Sequence, residues 1–298
     1  MAGAGAGERK APSSLVLAGA LCLIWALTFI AQRTALRESD PLWIAAGRTT
    51  IGALALAPAL RVMDAAAWRA AAAIGLTSVA GFVGFQLVGL EAIGAGPSAA
   101  IVYTQPVLVA IGAHLWLGER LNRTRAAGAL IGLAGVTVVS AHELSAASPV
   151  AVAALFASAV SWTAGTLLTR ATPGLPVLPL VAAQHLLAAP LLIGVAAAGE
   201  PFPELSGKLV AMILYAGVFG AAGGQLLYTT LLRRGEASVV SAWMFSVPIA
   251  SALLAVVLLG EPLRLPLVIG LVLVSVGVRL ATQHSRPRPG PGSSSPRR

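Results

Sequence analysis

Residues 106–121 read PVLVAIGAHLWLGERL, and residues 248–263 read PIASALLAVVLLGEPL. Each is an apolar run that opens on proline and closes on Gly-Glu, and the two lie 142 positions apart. The same offset pairs Gly128 with Gly270 and Gly135 with Gly277. Upstream, Trp25 and Arg33 pair with Trp162 and Arg170 at an offset of 137. Gly81-x-x-Gly84-x-Gln86-Leu87 pairs with Gly220-x-x-Gly223-x-Gln225-Leu226 at 139. Offsets that drift by a few residues, in order along the chain, mark an internal duplication with small insertions in the loops.

The composition says what medium the duplicated unit lives in. Of 298 residues, 57% are hydrophobic and 10% charged, with a mean hydropathy of +0.85. A soluble domain carries about 25% charged residues, so this is an integral membrane protein. The net charge of +9 does not point to nucleic acid. The basic residues stand singly between apolar runs instead of forming a patch.

Ten windows are apolar enough to span a bilayer: 14–32, 41–60, 68–90, 96–117, 125–141, 149–169, 176–198, 208–231, 237–259 and 265–282. They read as helices, because a backbone in lipid must satisfy its own hydrogen bonds and the runs lack the alternation of a membrane barrel. The expected fold is therefore all-α and integral to the membrane. It consists of a tail at 1–13, a first five-helix repeat over 14–141, a second over 149–282, and a disordered basic tail at 285–298. The first run has no convincing cleavage site and is read as an uncleaved helix. With the N-terminus in the cytoplasm, 15 Lys and Arg fall on the cytoplasmic side and 4 on the other, with Arg48 inside a span. This bias places both termini in the cytoplasm of a multi-pass cell-membrane protein. An odd number of spans per repeat makes the two repeats cross in opposite senses. Inverted repeats enclose the midplane substrate site of many secondary transporters.

Two five-span repeats, each with a fourth helix of the form Pro-x(11)-Gly-Glu ending at Gly118-Glu119 and Gly260-Glu261, resemble the EamA family of the drug/metabolite transporter superfamily. The resemblance covers about residues 14–282. It implies export or exchange of small metabolites, amino acids or drugs, often driven by a proton or substrate gradient. It also implies that helices 1–4 and 6–9 surround a central cavity while helices 5 and 10 lie outside.

The candidate substrate-binding residues come from charge, polarity and symmetry. Arg48 lies about seven residues into span 2, where a charge is costly enough to imply a role. The 137 offset sets His185 opposite it in span 7. Both could attract an anionic group or a proton, or Arg48 could snorkel outward with His185 as packing. Gln86 and Gln225 follow Gly-x-x-Gly steps and either line a cavity or bridge helices. Tyr103, Thr104 and Gln105 precede Pro106; Trp243, Phe245 and Ser246 precede Pro248. A proline frees an upstream carbonyl and kinks the helix, and aromatic and polar groups at such a kink suit an organic substrate. Trp25 and Trp162 sit well inside their spans and are candidates for the same cavity.

Pro106, Pro248, Glu119 and Glu261 are read as structural or gating residues. A carboxylate at a helix C-terminus opposes the helix dipole, so Glu119 and Glu261 should pair with Arg or cap a neighbouring helix. The Gly128-Ala-Leu-Ile-Gly132 run packs span 5 within the fold or against a second copy in a homodimer. Proton coupling would use His185 or Glu91.

No phosphate-binding loop, His-Glu-x-x-His or Gly-x-Ser-x-Gly occurs. The only cysteine, Cys22, rules out an intrachain disulfide and a Cys-based metal site. No metal, cofactor or catalytic residue is expected, and the partners are a small-molecule substrate and the lipid bilayer. The leading reading is a secondary transporter working by alternating access. The alternative is an intramembrane enzyme acting on a lipid-linked substrate, which needs Glu91, His114 and His185 to converge.

Overall fold

The structure is a computed structural model that describes residues 13–62, 64–93, 98, 101–140, 148–259 and 265–283. Among these residues there is no strand. The helices form ten rods: α1 (Ser14–Ala35), α2 (Pro41–Leu56), α3 (Ala65–Ala92), α4 (Gln105–Leu117), α5 (Arg123–Ser140), α6 (Pro149–Ala171), α7 (Val177–Gly199), α8 (Gly207–Arg234), α9 (Ala237–Leu254) and α10 (Leu265–Ala281). Seven are long and apolar enough to cross a membrane: α1, α2 with its continuation to Leu60, α3, α6, α7, α8 and α9. The sequence led us to expect ten spans. The remaining three rods fall short of that measure. α4 and α10 are shorter apolar helices, of 13 and 17 residues, and α5 carries Arg123 and Arg125 in its first turn.

The helix starts follow local chemistry. Ser13, Asp64 and Ser206 each accept the backbone N–H three residues on, at 3.4, 2.7 and 3.0 Å. Pro41 and Pro149 begin α2 and α6, where the missing donor costs nothing. Gly118, at φ 70°, ends α4 in a left-handed turn that favours glycine.

Two irregularities recur at the positions the duplication pairs. α3 contains a π-helical stretch at Gly75–Gly81, and α8 contains one at Ala216–Gly223. The segment 96–117 was expected to be one helix. Instead Tyr103 and Thr104 form a turn, and the regular helix begins at Gln105. α9 breaks likewise, into a 3-10 turn at Trp243–Phe245. The physical cause is shared: Pro106 and Pro248 have no N–H to give to the preceding turn.

The rods pack closely through small residues. A Cβ added at Gly165 of α6 would fall 2.9 Å from the backbone N of Ser78 in α3, and one at Gly75 would fall 2.7 Å from the carbonyl O of Gln184 in α7. α5 and α10 lie against each other, with Gly277 so close that its Cβ would sit 2.5 Å from the N of Gly132. The Gly128–Gly132 face is thus used within the chain. Large apolar side chains cover the outside, among them Leu115, Val150 and Val257, as lipid contact requires.

Polar contacts fix the two ends of the bundle. At one end, called here the upper, Glu200 at the close of α7 meets the first turn of α2, and Glu38 meets Ser206 and Lys208 at the start of α8. At the lower end Glu119, after α4, meets the first turn of α9, Arg125 pairs with Glu236, and Arg233 donates to the carbonyl of Thr172. Residues 1–12 of the first tail, the whole of the second tail and Glu261 lie outside the described residues.

Candidate functional site

The site begins with the inward stripe of α1. Trp25, Thr28, Phe29 and Gln32 follow the i, i+3, i+4, i+7 spacing of one helical face and line a cavity at the middle of the bundle. Val79, Phe82, Val83 and Gln86 of α3 repeat that spacing on the opposite wall. Arg48 and Thr49 of α2, Ser78, Tyr103, Gln105 of α4, Trp162 of α6, His185 of α7, and Gly220, Ala221 and Gln225 of α8 complete it. Of the residues singled out in the sequence, Trp25, Arg48, Gln86, Tyr103, Gln105, Trp162, His185 and Gln225 come together here.

Trp243 does not line the cavity. Its carbonyl accepts the Cys22 thiol at 3.4 Å, and its side chain packs in the apolar cluster around Leu21, Tyr228 and Phe245. The next aromatic on the strand of sequence before Pro248, Phe245, lies against Gly132 of α5. The break in α9 therefore turns its aromatics towards α5 and α1, whereas the break in front of Pro106 leaves Tyr103 at the cavity.

Trp25, Phe29, Phe82, Tyr103 and Trp162 give the cavity aromatic walls, and Tyr228 backs them from outside its lining. Trp25 and Trp162 meet edge to face at 5.3 Å, Phe82 and Trp162 lie 4.6 Å apart, and Tyr228 sits 4.9 Å from Trp162. The Tyr228 hydroxyl is held between Thr166, at 3.0 Å, and Ser241, at 3.1 Å. Trp25 Nε1 donates to the carbonyl of Gly220 at 3.0 Å. That carbonyl belongs to the π-helical stretch of α8, where widened turns leave carbonyls free for outside donors.

The polar groups are poorly partnered. Arg48 is only 7% exposed, and its Nε has no hydrogen-bond partner among the described residues. The same holds for Gln32 Nε2, Thr49 Oγ1 and Gln105 Oε1. Buried polar atoms are nearly always paired, so a cluster of orphans calls for water or a ligand. His185 differs. Its Nδ1–H donates to the carbonyl of Val181 at 2.8 Å, which leaves Nε2 as its free nitrogen. Its ring packs on Gly52, one turn from Arg48, where an added Cβ would meet Cδ2 at 3.1 Å. The cavity has a volume of about 50 Å³. A water needs roughly 10–15 Å³ of such space, so this conformation has room for a few waters and none for an organic solute.

Glu119 caps a helix, one of the two roles expected of it. Its carboxylate accepts the N–H of Ala237 and of Ser238 and the Ser238 hydroxyl, the last two at 3.0 and 2.5 Å. Sequence reading missed its counterpart at the upper end. Glu200 accepts the N–H of Leu42 at 3.0 Å and of Trp43 at 3.2 Å, and Trp43 Nε1 donates back to the Glu200 carbonyl at 3.2 Å. Burial pushes the Glu200 carboxyl above the usual carboxylate range, against the pull of those two N–H groups. Hydrogen bonds from Ser206 and Lys208 hold Glu38 below it. Glu91 is exposed near the end of α3, and the exposed His114 bonds the Glu119 carbonyl at 2.8 Å. Neither joins His185, and no three His, Cys, Asp or Glu cluster as metal ligands among the described residues.

The sequence profile of the EamA-like transporter family matches residues 12–141 and again 149–283. The chain belongs to the EamA-like transporter family. A relative in Bacillus subtilis, named uncharacterized transporter YvbV, is 32% identical over 288 residues, covering 93% of each chain. One in Archaeoglobus fulgidus, also named an uncharacterized transporter, is 27% identical over 268 residues, covering 87% of this chain and 95% of its own. A crystal structure at 22% identity superposes with a TM-score of 0.79 over 90% of this chain and 96% of the other, which speaks to the fold. With its apolar helices, the family makes this chain a multi-pass membrane transporter of small substrates.

Proposed function

We propose that the chain is a secondary transporter that exports or exchanges a small organic metabolite across the cell membrane by alternating access, with both termini in the cytoplasm. In this reading ten helices cross the bilayer as two inverted five-helix repeats, 14–141 and 149–282. The upper end faces out and the lower end faces in. Arg48, His185, Trp25, Gln86, Tyr103, Gln105, Trp162 and Gln225 meet the substrate.

The observation that carries this reading is a small cavity holding partnerless polar atoms between contacts that tie the two halves together at both ends. Glu119 of the first half caps α9 of the second at the lower end. Glu200 of the second half caps α2 of the first at the upper end. Alternating access requires the ties at the two ends to release in turn. Two inverted halves of like build give the two open states similar energies. Releasing one cap while keeping the other opens one side only.

Purified protein in proteoliposomes, offered a panel of labelled metabolites, should show saturable flux of at least one. Arg48→Ala should lower that flux about a hundredfold with the protein still folded, since it removes a buried charge at the binding site. Lack of flux for every solute in both directions would sink the reading. Where a pH gradient drives the flux, His185→Gln should abolish the drive and lower exchange without a gradient by a smaller factor.

A further inference from the structure

We infer that the cavity is built for an organic anion: a single carboxylate on a flat apolar body, bound with the carboxylate on Arg48 and the body against the aromatic walls. The inference rests on the transporter reading above and deepens it by naming the charge and shape of the substrate.

The charge balance comes first. Among the described residues, Arg48 is the one permanent charge that lines the cavity, and no Asp or Glu lines it. It forms no ion pair among the described residues; the pairs there are Arg125 with Glu236 and Lys208 with Glu38. A guanidinium as buried as this one, 7% exposed, needs an anion to neutralise it. One guanidinium answers one negative charge, and its fork matches the two oxygens of a carboxylate. An ammonium group finds no carboxylate there, so neither a cation nor a zwitterion balances the site.

The distribution of groups gives the orientation. Gln225 and His185 add polar groups nearer the lower ends of α8 and α7. Gln32, one turn from the upper end of α1, and Arg48 and Thr49, two turns from the upper end of α2, set unpartnered polar atoms above the midplane. Gln32 Nε2 is a second donor without a partner on that side. Below them, Trp25 and Trp162 lie near the middle of α1 and α6. The chain has six Trp, three Tyr and seven Phe, and five of these sixteen line this one cavity: Trp25, Phe29, Phe82, Tyr103 and Trp162. Aromatic walls beside a single guanidinium suit a flat apolar solute held by its charged head. The cavity of about 50 Å³ is too small for such a solute, so binding takes place in an opened conformation and draws the protein towards it.

The test is binding to the full-length protein in detergent, read as a rise in melting temperature and as quenching of tryptophan fluorescence, followed by flux in proteoliposomes. The probes are benzoate, phenylacetate and cinnamate. The controls are benzamide (the neutral isostere), benzylamine, phenylalanine and phenyl phosphate. We expect saturable stabilisation by at least one of the three carboxylates and none by the controls. Arg48→Gln should weaken that binding roughly a hundredfold, and Arg48→Lys should restore part of it. The contrast between benzoate and benzamide on the unmodified protein needs no variant to fold. The inference is overturned if the amide, the amine or the zwitterion binds as well as the carboxylates, or if none of the three carboxylates binds. Phenyl phosphate binding in place of the carboxylates would overturn it as well. Flux of a neutral or cationic solute would overturn the charge class and leave the transporter reading standing. Carboxylate binding without flux of any solute would uphold the class and defeat the transporter reading.

Discussion

At the scale of single residues, the cavity depends on side chains that are missing as much as on those that are present. Gly52 lets the His185 ring lie on α2, and Gly165 lets α6 approach Ser78, which lines the cavity. A Cβ at residue 165 would fall 1.7 Å from Ser78 Oγ and 2.9 Å from its backbone N. The hydroxyl can rotate away, but the backbone of α3 must shift. Gly165→Ala should therefore cost about 1–3 kcal/mol through overpacking, seen as a lower melting temperature in detergent, and should lower flux by displacing the α3 wall. Gly194→Ala, a site with nothing within 4 Å, is the control and should leave both unchanged. The sequence made Arg48, His185 and the two tryptophans visible because a charge inside a span and a symmetric Trp are rare. Gln32, Thr49, Phe29 and Phe82 were overlooked. For Phe29, Gln32 and Phe82 the signal was the helical spacing outward from Trp25 and Gln86, and for Thr49 its place next to Arg48. Trp243 was misplaced because symmetry of sequence was read as symmetry of side-chain direction, and the 3-10 turn at Trp243–Phe245 breaks that symmetry.

At the scale of elements, helix ends carry the joints between the halves. α9 begins without a cap from its own side chains, so Glu119 supplies one from across the bundle. A carboxylate at a helix N-terminus gains from both the free N–H groups and the dipole. Glu119→Ala should cost about 1–2 kcal/mol and should speed amide exchange in the first turn of α9, measured by hydrogen–deuterium exchange. Glu119→Gln should recover part of both. At the upper end the two carboxylates respond to acid with opposite signs. The depressed pKa of Glu38 gives a contribution present above the ordinary carboxylate value and lost as pH falls through its own. The raised pKa of Glu200 gives one present below the ordinary value and lost as pH rises through its own. Scans of melting temperature between about pH 3 and pH 7 should show Glu38→Gln flattening the fall on the acid side. Glu200→Gln should instead raise the neutral side relative to the acid side. The pairing of Gly75–Gly81 with Ala216–Gly223 was half legible, since the Gly-x-x-Gly steps were found. The π-helical geometry was not, because periodicity over so short a stretch does not separate it from an ordinary helix.

At the scale of the whole molecule, hydropathy and the two matched halves foretold an all-helical membrane protein, and the helix boundaries came within a few residues for α1, α2, α6 and α7. The prolines upset the fourth window, where local backbone chemistry outweighs hydropathy. If the repeats are inverted, residues 90 and 232 lie on opposite membrane faces. Reporter tags inserted after Leu90 and after Leu232 should be accessible from outside and from the cytoplasm respectively; the same face for both would refute the architecture. The thiol of Cys22 lies buried on α1 against the carbonyl of Trp243, and it is the only thiol in the chain. One conservative change therefore yields a background blank to maleimides. Thiols then introduced singly along the inner stripes would map, position by position, which side of the barrier water reaches as the protein turns over.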